Sequence, residues 1–180
     1  VMEIAVPRPF LASDYIVRFA RQPWETAGAF ALRRQVFCAE QRVFERDDRD
    51  AVDAQAIAIV ALSTLAGEPD EVIGTVRLHQ PEPGIWWGSR LAVAASHRRI
   101  GTIGPALIRL AVSSAHAMGC VRFLAHVQPQ NELLFRRMHW ARLDTVSLHG
   151  RDHLLMQADL DWYPPIGDGG TGFHTGRRAA

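Results

Sequence analysis

The chain has 180 residues, the length of one ordinary domain, and 48% of them are hydrophobic, enough for a sizeable buried core. A formal net charge of +1 argues against a strongly basic nucleic-acid binder or a polybasic membrane-surface protein. The two cysteines, Cys38 and Cys120, each sit in an apolar stretch and neither belongs to a CxxC pair. Neither a disulfide framework nor a zinc site is expected, and a reduced cytoplasmic setting fits. No apolar run is long enough to cross a bilayer, and Val1 to Phe10 lack the basic-then-apolar layout of a signal peptide.

In chain order, Tyr15 to Phe19 reads as a first strand. Residues 25–41 carry Phe30, Arg33, Arg34, Phe37 and Glu40 at helical spacing, which predicts one helix or two short ones. Phe44 to Asp50 has no apolar period and reads as an exposed, solvated loop; its acidic residues with Asp53 could otherwise attract a cationic amine. Three strands follow, Ala56–Thr64, Val72–His79 and Ile85–Val93, separated by turn signals at Gly67–Asp70 and Pro81–Gly84. Neighbouring strand residues face opposite ways, so at most one of Trp86 and Trp87 should line a pocket. A strong amphipathic helix is expected at 105–118, with Pro105 in its first turn and Gly119 after its end. Val121–Val127 reads as a strand, Asn131–Met138 as a short helix, and Thr145–Leu148 and His153–Leu160 as a hairpin about His149–Asp152. The residues after Pro164-Pro165 are Gly-rich and polar. They predict a domain at 1–165 and a flexible tail at 166–180. The class is mixed α/β, a mostly antiparallel sheet interrupted by a strand–loop–helix–strand unit.

The loop of that unit is His97-Arg98-Arg99-Ile100-Gly101-Thr102-Ile103-Gly104. Glycines let backbone approach a ligand closely, and the first helical turn leaves N–H groups and a positive dipole end for an anion. Arg98 and Arg99 add forked donors for phosphate oxygens. A plain connector with solvated arginines would use the same residues. Neither GxxxxGK[ST] nor GxGxxG is present, so a P-loop and a dinucleotide fingerprint are both absent.

This order of elements and the run Arg99-Ile100-Gly101-Thr102-Ile103-Gly104 resemble the GNAT superfamily of acyl-CoA-dependent N-acyltransferases, over roughly residues 15–160. Thr102 departs from that family's pattern, with the glycine at Gly101 instead. Leu32 to Phe37 with Glu40-Gln41, and Arg90 before Leu91-Ala92-Val93, resemble the branch of the ElaA-type acetyltransferases. The runs Trp86–Val93, Ala111–Ala117 and Arg151–Leu160 are similar to the nitrogen-starvation N-acetyltransferase family, whose genes lie beside a nitrilase.

The resemblance implies a central sheet of six to seven strands flanked by about four helices. It also implies acetyl-CoA as co-substrate and an amine acceptor that attacks the thioester directly. Leu91, Ala92 and Val93 would hold the pantetheine arm through backbone groups, and Arg98, Arg99, Ile100, Gly101, Thr102, Ile103 and Gly104 the pyrophosphate. Asn131 would contact the arm or simply cap its helix. Phe135 stands where many relatives carry a tyrosine acid. His126, on the strand where the thioester should lie, is the leading acid or base, against a buried, backbone-bonded histidine. Glu40 is a second candidate base, against an ion pair with Arg33, Arg77 or Arg90. Cys120 reads as core, and His149 with His153 are too few ligands for zinc. Other readings are a non-catalytic acyl-CoA-binding or regulatory protein, and an enzyme of the acyl-homoserine-lactone-synthase kind. No nucleic-acid, membrane or metal partner is expected. Exposed tryptophans or an exchanged terminal strand could make a homodimer.

Overall fold

The computed structural model describes residues 11–176. The expectation about Val1 to Phe10, and the last four residues of the expected tail, lie outside the described residues. No helix among the described residues is long and apolar enough to cross a membrane.

Eight strands form one sheet in the order β6-β7-β5-β4-β3-β2-β1-β8. They are β1 (Asp14–Phe19), β2 (Ile57–Leu65), β3 (Glu68–Glu82), β4 (Ile85–Val93), β5 (Arg122–Val127), β6 (Trp140–Leu148), β7 (Arg151–Ala158) and β8 (Phe173–Gly176). All neighbours run antiparallel except β4 and β5. That parallel pair needs a crossover, which the helix α2 (Ile103–Ala117) supplies. The tight β2–β3 and β6–β7 connections turn on Ala66-Gly67 and His149-Gly150. All four residues have positive φ, as two-residue hairpin turns demand.

Each face is covered differently. Leu107, Leu110, Ala111 and Val112 of α2 are buried against Tyr15, Ile59, Leu78 and Phe123 of the sheet. On the other face, α1 (Pro23–Arg33) buries Ala29 and Leu32 against Ile16, Val60 and Leu62. The sequence left open one helix or two between residues 25 and 41. It is one helix that continues from Arg34 to Glu40 as a π-wound segment, marked by a bond from the Gln41 N–H to the Val36 carbonyl at 2.9 Å. Single π-wound stretches of this kind often adjoin functional sites.

Two expectations need correction here. The segment Phe44–Asp50 is an exposed loop as expected, except at Asp48, which is buried. Asp48 is 1% exposed and binds the guanidiniums of Arg33 at 2.7 Å and Arg90 at 2.9 Å. Asp50 and Asp53 pair with Arg77 at 2.6 and 2.8 Å, and Asp53 also with Arg33 at 2.7 Å. Asp48, Asp50 and Asp53 therefore neutralise the buried guanidiniums of Arg33 and Arg77 and the half-buried one of Arg90, and are not free to attract an amine. Nor is 166–180 a loose tail over its described part. The chain crosses α2, where the Ile166 N–H bonds the Ser113 carbonyl at 3.0 Å, and then adds β8 antiparallel to β1. A Cβ on Gly172 would lie 1.9 Å from the Val17 carbonyl oxygen, so the glycine there serves close approach.

Candidate active site

The ladder between β4 and β5 runs only from Ile85↔Arg122 to Gly88↔Ala125. Beyond Gly88 the two strands part. The cause is local to β4. Between Thr75↔Ala92 and Arg77↔Ser89 on the β3 side, β4 holds one residue more than β3 does, and Arg90 sits at φ +57°. Such a bulge bends its strand and increases its twist. Arg90 is held in this conformation by Asp48 and by Phe44, whose ring centroid is 4.7 Å from the guanidinium carbon.

A cleft of about 460 Å³ fills the gap and reaches both faces of the sheet. Its α2 side is apolar, lined by Ile108, Ala111, Val112, Phe123 and Phe135. Its other side carries Phe37, Phe44, Trp87, His126, His149 and His153. Trp87 faces this cleft while Trp86 is buried, as strand alternation predicts.

Among the expected site residues, Leu91, His126, Asn131 and Phe135 line the cleft. The His126 ring lies 4.9 Å from that of Trp87. Burial against the cleft walls, and then the neighbouring His153, push its pKa below the ordinary imidazole value. His126 makes no hydrogen bond among the described residues, so it is not the backbone-bonded core histidine of the alternative reading. Asn131 precedes α3 (Glu132–Arg137) but makes no side-chain cap bond, so capping does not account for it. Phe135 is buried edge-on to Trp140 at 5.0 Å. The nearby Tyr163 hydroxyl donates to the Met138 carbonyl at 2.7 Å, and burial raises its pKa to about 12. Cys38 and Cys120 are free thiols, and burial raises Cys120 to about 11, which suits a core residue.

Glu40 departs from expectation. It pairs with none of Arg33, Arg77 and Arg90 but with Arg98, at 2.5 Å, and it does not line the cleft. Arg98 is thereby held in place, and its Nε also donates to the Val93 carbonyl at 2.9 Å. Both loop arginines are exposed, but Arg99 makes no hydrogen bond or ion pair among the described residues. The loop winds as a 3-10 turn over Ala95–Ile100, and Gly101 reverses it at φ +76°. Ile103 is buried core at 1% exposure, Ile100 packs against that core, and Ala92 packs against the α1 face. Thr102 does not cap α2. Its hydroxyl donates instead to the Gly176 carbonyl at 2.9 Å. The first N–H groups of α2 thus lack a side-chain cap, and a Cβ at Gly104 would meet no atom within 4 Å. Beside this loop lies a second cavity of about 340 Å³, lined by Arg109, His139, Trp162 and Phe173 among others.

Several lining residues escaped the sequence reading. Ser89 is the one hydroxyl side chain lining the cleft among the described residues, and its Oγ accepts from Arg77 Nε at 2.9 Å. His79 also lines the cleft, and its Nδ1 is buried without a partner. Gln41 joins the π-wound segment to β5 and β7, accepting from Gln128 at 2.9 Å and from Arg151 at 2.8 Å. Adjacency of His126 to Trp87 across β4 and β5 was the available signal for the cleft wall. No motif marks the others. Among the described residues no cluster of three or more His, Cys, Asp and Glu side chains could hold a metal ion.

A sheet parted by a bulge, with an uncapped helix at its mouth, defines a class, and sequence comparison agrees with it. The profile of the acetyltransferase (GNAT) family matches residues 21–139, and the chain belongs to that family. No curated protein matches by sequence. Among solved structures, a Lactobacillus plantarum protein assigned as an N-acetyltransferase superposes with a TM-score of 0.70 at 22% identity, covering 80% of this chain and 97% of its own. ElaA of Escherichia coli gives 0.66 at 14% identity, with 81% and 98% covered. An acyl-CoA N-acyltransferase of Pseudomonas aeruginosa gives 0.63 at 17% identity, with 82% and 100% covered. At these identities the likeness establishes the fold, a mixed and mostly antiparallel sheet with flanking helices.

Proposed function

We propose that the protein transfers an acetyl group from acetyl-CoA to the amine of a small acceptor. The observation that carries this reading is the parting of β4 and β5 after Gly88 and Ala125, in the floor of the cleft. An extended pantetheine arm can lie against the freed edge of Ser89 to Val93 as an added strand. Fit at the loop supports the same substrate. Gly104 leaves open space, Arg99 is an unengaged cation, and the α2 N–H groups are uncapped. All three suit a pyrophosphate. Arg98, tied to Glu40, positions the loop in this reading. Glu40 lies outside the cleft, so we infer that it anchors Arg98 and that His126 is the base.

His126 accepts the proton of the attacking amine. A C–N bond forms at the carbonyl carbon and the C–S bond breaks, releasing the thiolate of CoA. Phe135 has no proton to give. The thiolate takes its proton from water, and the Ser89 hydroxyl is the group available to hydrogen-bond it. The lowered pKa of His126 keeps the imidazole neutral at pH 7, ready to act as base.

The test is calorimetric titration with acetyl-CoA, followed by assays against amines. Wild type should bind saturably. Arg99→Ala with Gly104→Val should weaken binding by at least about tenfold while the fold is kept, since Val fits the open space. His126→Gln should keep binding, lose about a hundredfold in kcat and abolish the acid limb of the rate profile below about pH 6.5. Absence of binding to acetyl-CoA and longer acyl-CoAs would overturn the reading.

A further inference from the structure

We propose that the acceptor side of the cleft selects a small amine bearing a flat, uncharged ring, an arylalkylamine or its heterocyclic counterpart, and rejects amines with a second positive charge. This rests on the acyltransferase reading and names the substrate class of the same site.

Ring geometry is the first support. Trp87 of β4 and His126 of β5 lie 4.9 Å apart with their planes inclined at 40°. Phe44 and His149 form a second pair at 4.9 Å, edge to face. Both pairs, with Phe37, line the one cleft. Aromatic side chains present faces and edges that favour offset or edge-on contact with another ring. A linear alkyl chain would gain the area of contact without that geometry.

Rigidity is the second. The β6–β7 hairpin that carries His149 is pinned to the end of the π-wound segment by the Arg151–Gln41 bond of 2.8 Å. Arg90 lies against the Phe44 ring at 4.7 Å and is itself fixed by Asp48. Rings held before the ligand arrives cost less ordering on binding.

Charge is the third. No Asp or Glu lines the cleft among the described residues. Asp48, Asp50 and Asp53 are matched by Arg33, Arg77 and Arg90, and Glu40 by Arg98. The reacting amine must enter uncharged. A second ammonium would lose its hydration and find no counter-ion. An anionic ring would find no free guanidinium there either, because Arg77 and Arg90, the arginines that line the cleft, are already paired with aspartates.

The experiment uses the full chain, with calorimetry of acetyl-CoA binding as a separate measurement. At saturating acetyl-CoA, thiol release is followed for phenethylamine, tryptamine, n-hexylamine, putrescine and spermidine. Each amine is also titrated calorimetrically into the CoA-loaded protein. The arylalkylamines should exceed hexylamine in kcat/KM by about tenfold, and the diamine and polyamine by about a hundredfold. Trp87→Leu and, separately, Phe44→Leu should bring the aryl-to-alkyl ratio close to one through KM, with acetyl-CoA affinity held as the control for folding. Putrescine or spermidine as the best acceptor, or failure of every arylamine to bind or react while acetyl-CoA binds, would overturn this inference and leave the acyltransferase reading standing. A protein that binds no acyl-CoA loses both.

Discussion

The two faces of the sheet are held by different means. On one, α2 buries a continuous apolar stripe, and Leu107, Leu110 and Val112 are fully buried against the strands. On the other, α1 and its π-wound extension combine apolar contacts of Ala29, Leu32, Val36 and Phe37 with a network of charge. Arg33, Arg77 and Arg90 reach from three elements to three aspartates, and the buried Glu25 accepts from Arg18 and from the Arg21 N–H. In the proposed reading, the apolar face gives a thioester arm its dry wall, and the ionic face orients the acceptor. Dispersion contacts tolerate small shifts, whereas hydrogen-bonded guanidiniums fix direction. The bulged Arg90, at φ +57°, is held by that ionic network.

The comparison predicts a ranking. Asp48→Ala should be the most damaging change, costing about 3–5 kcal/mol, because it removes the buried carboxylate that Arg33 and Arg90 share; urea unfolding at pH 7 measures it. Leu110→Ala, on the apolar face, should cost about 3 kcal/mol through an unfilled cavity, with no dependence on pH. If the leucine change costs clearly more than the aspartate change, the ionic face does not hold its side of the sheet. Acid should separate the faces further. A hydrogen bond from Arg77 lowers the pKa of Asp50. Burial alone would raise Asp53, but hydrogen bonds from Arg33 and Arg77 lower it overall. Their contribution is complete above the unfolded carboxylate value of about 3.9 and is lost as pH falls through the lower folded values. Asp53→Asn should flatten that acid limb in pH-dependent unfolding, and Leu110→Ala should leave its shape unchanged. Smallest of all, Arg136→Ala removes an exposed i,i+4 pair with Glu132 and should shift stability by no more than about 0.5 kcal/mol.

The sequence made the centre of the molecule legible and its edges less so. Periodicity located α2, β4 and β5, and alternation separated Trp87 from Trp86, because local sterics and burial act there in agreement. Asp48, Asp50 and Asp53 read as solvated because polarity alone does not reveal a partner. Their guanidiniums arrive from positions 33, 77 and 90, brought together only by the fold. Glycines after residue 165 read as looseness. At Gly169 and Gly172 they permit contact instead, a Cβ at Gly169 falling 2.3 Å from the Phe19 ring. His126 was legible from its strand and its neighbours. The hairpin histidines were visible as residues, but nothing in their spacing showed that the β6–β7 turn brings His149 over Phe44.

The pairing of β8 with β1 has a kinetic consequence. Asp14 meets Gly176, and Tyr15 meets Thr175, across nearly the whole length of the chain. Contacts of such long sequence separation slow the search for the native state, because a large loop must close before they reward it. During synthesis β1 emerges early and must wait, its outer edge open, until residues 173–176 leave the ribosome. That interval is when β1 is exposed to mispairing with another nascent chain.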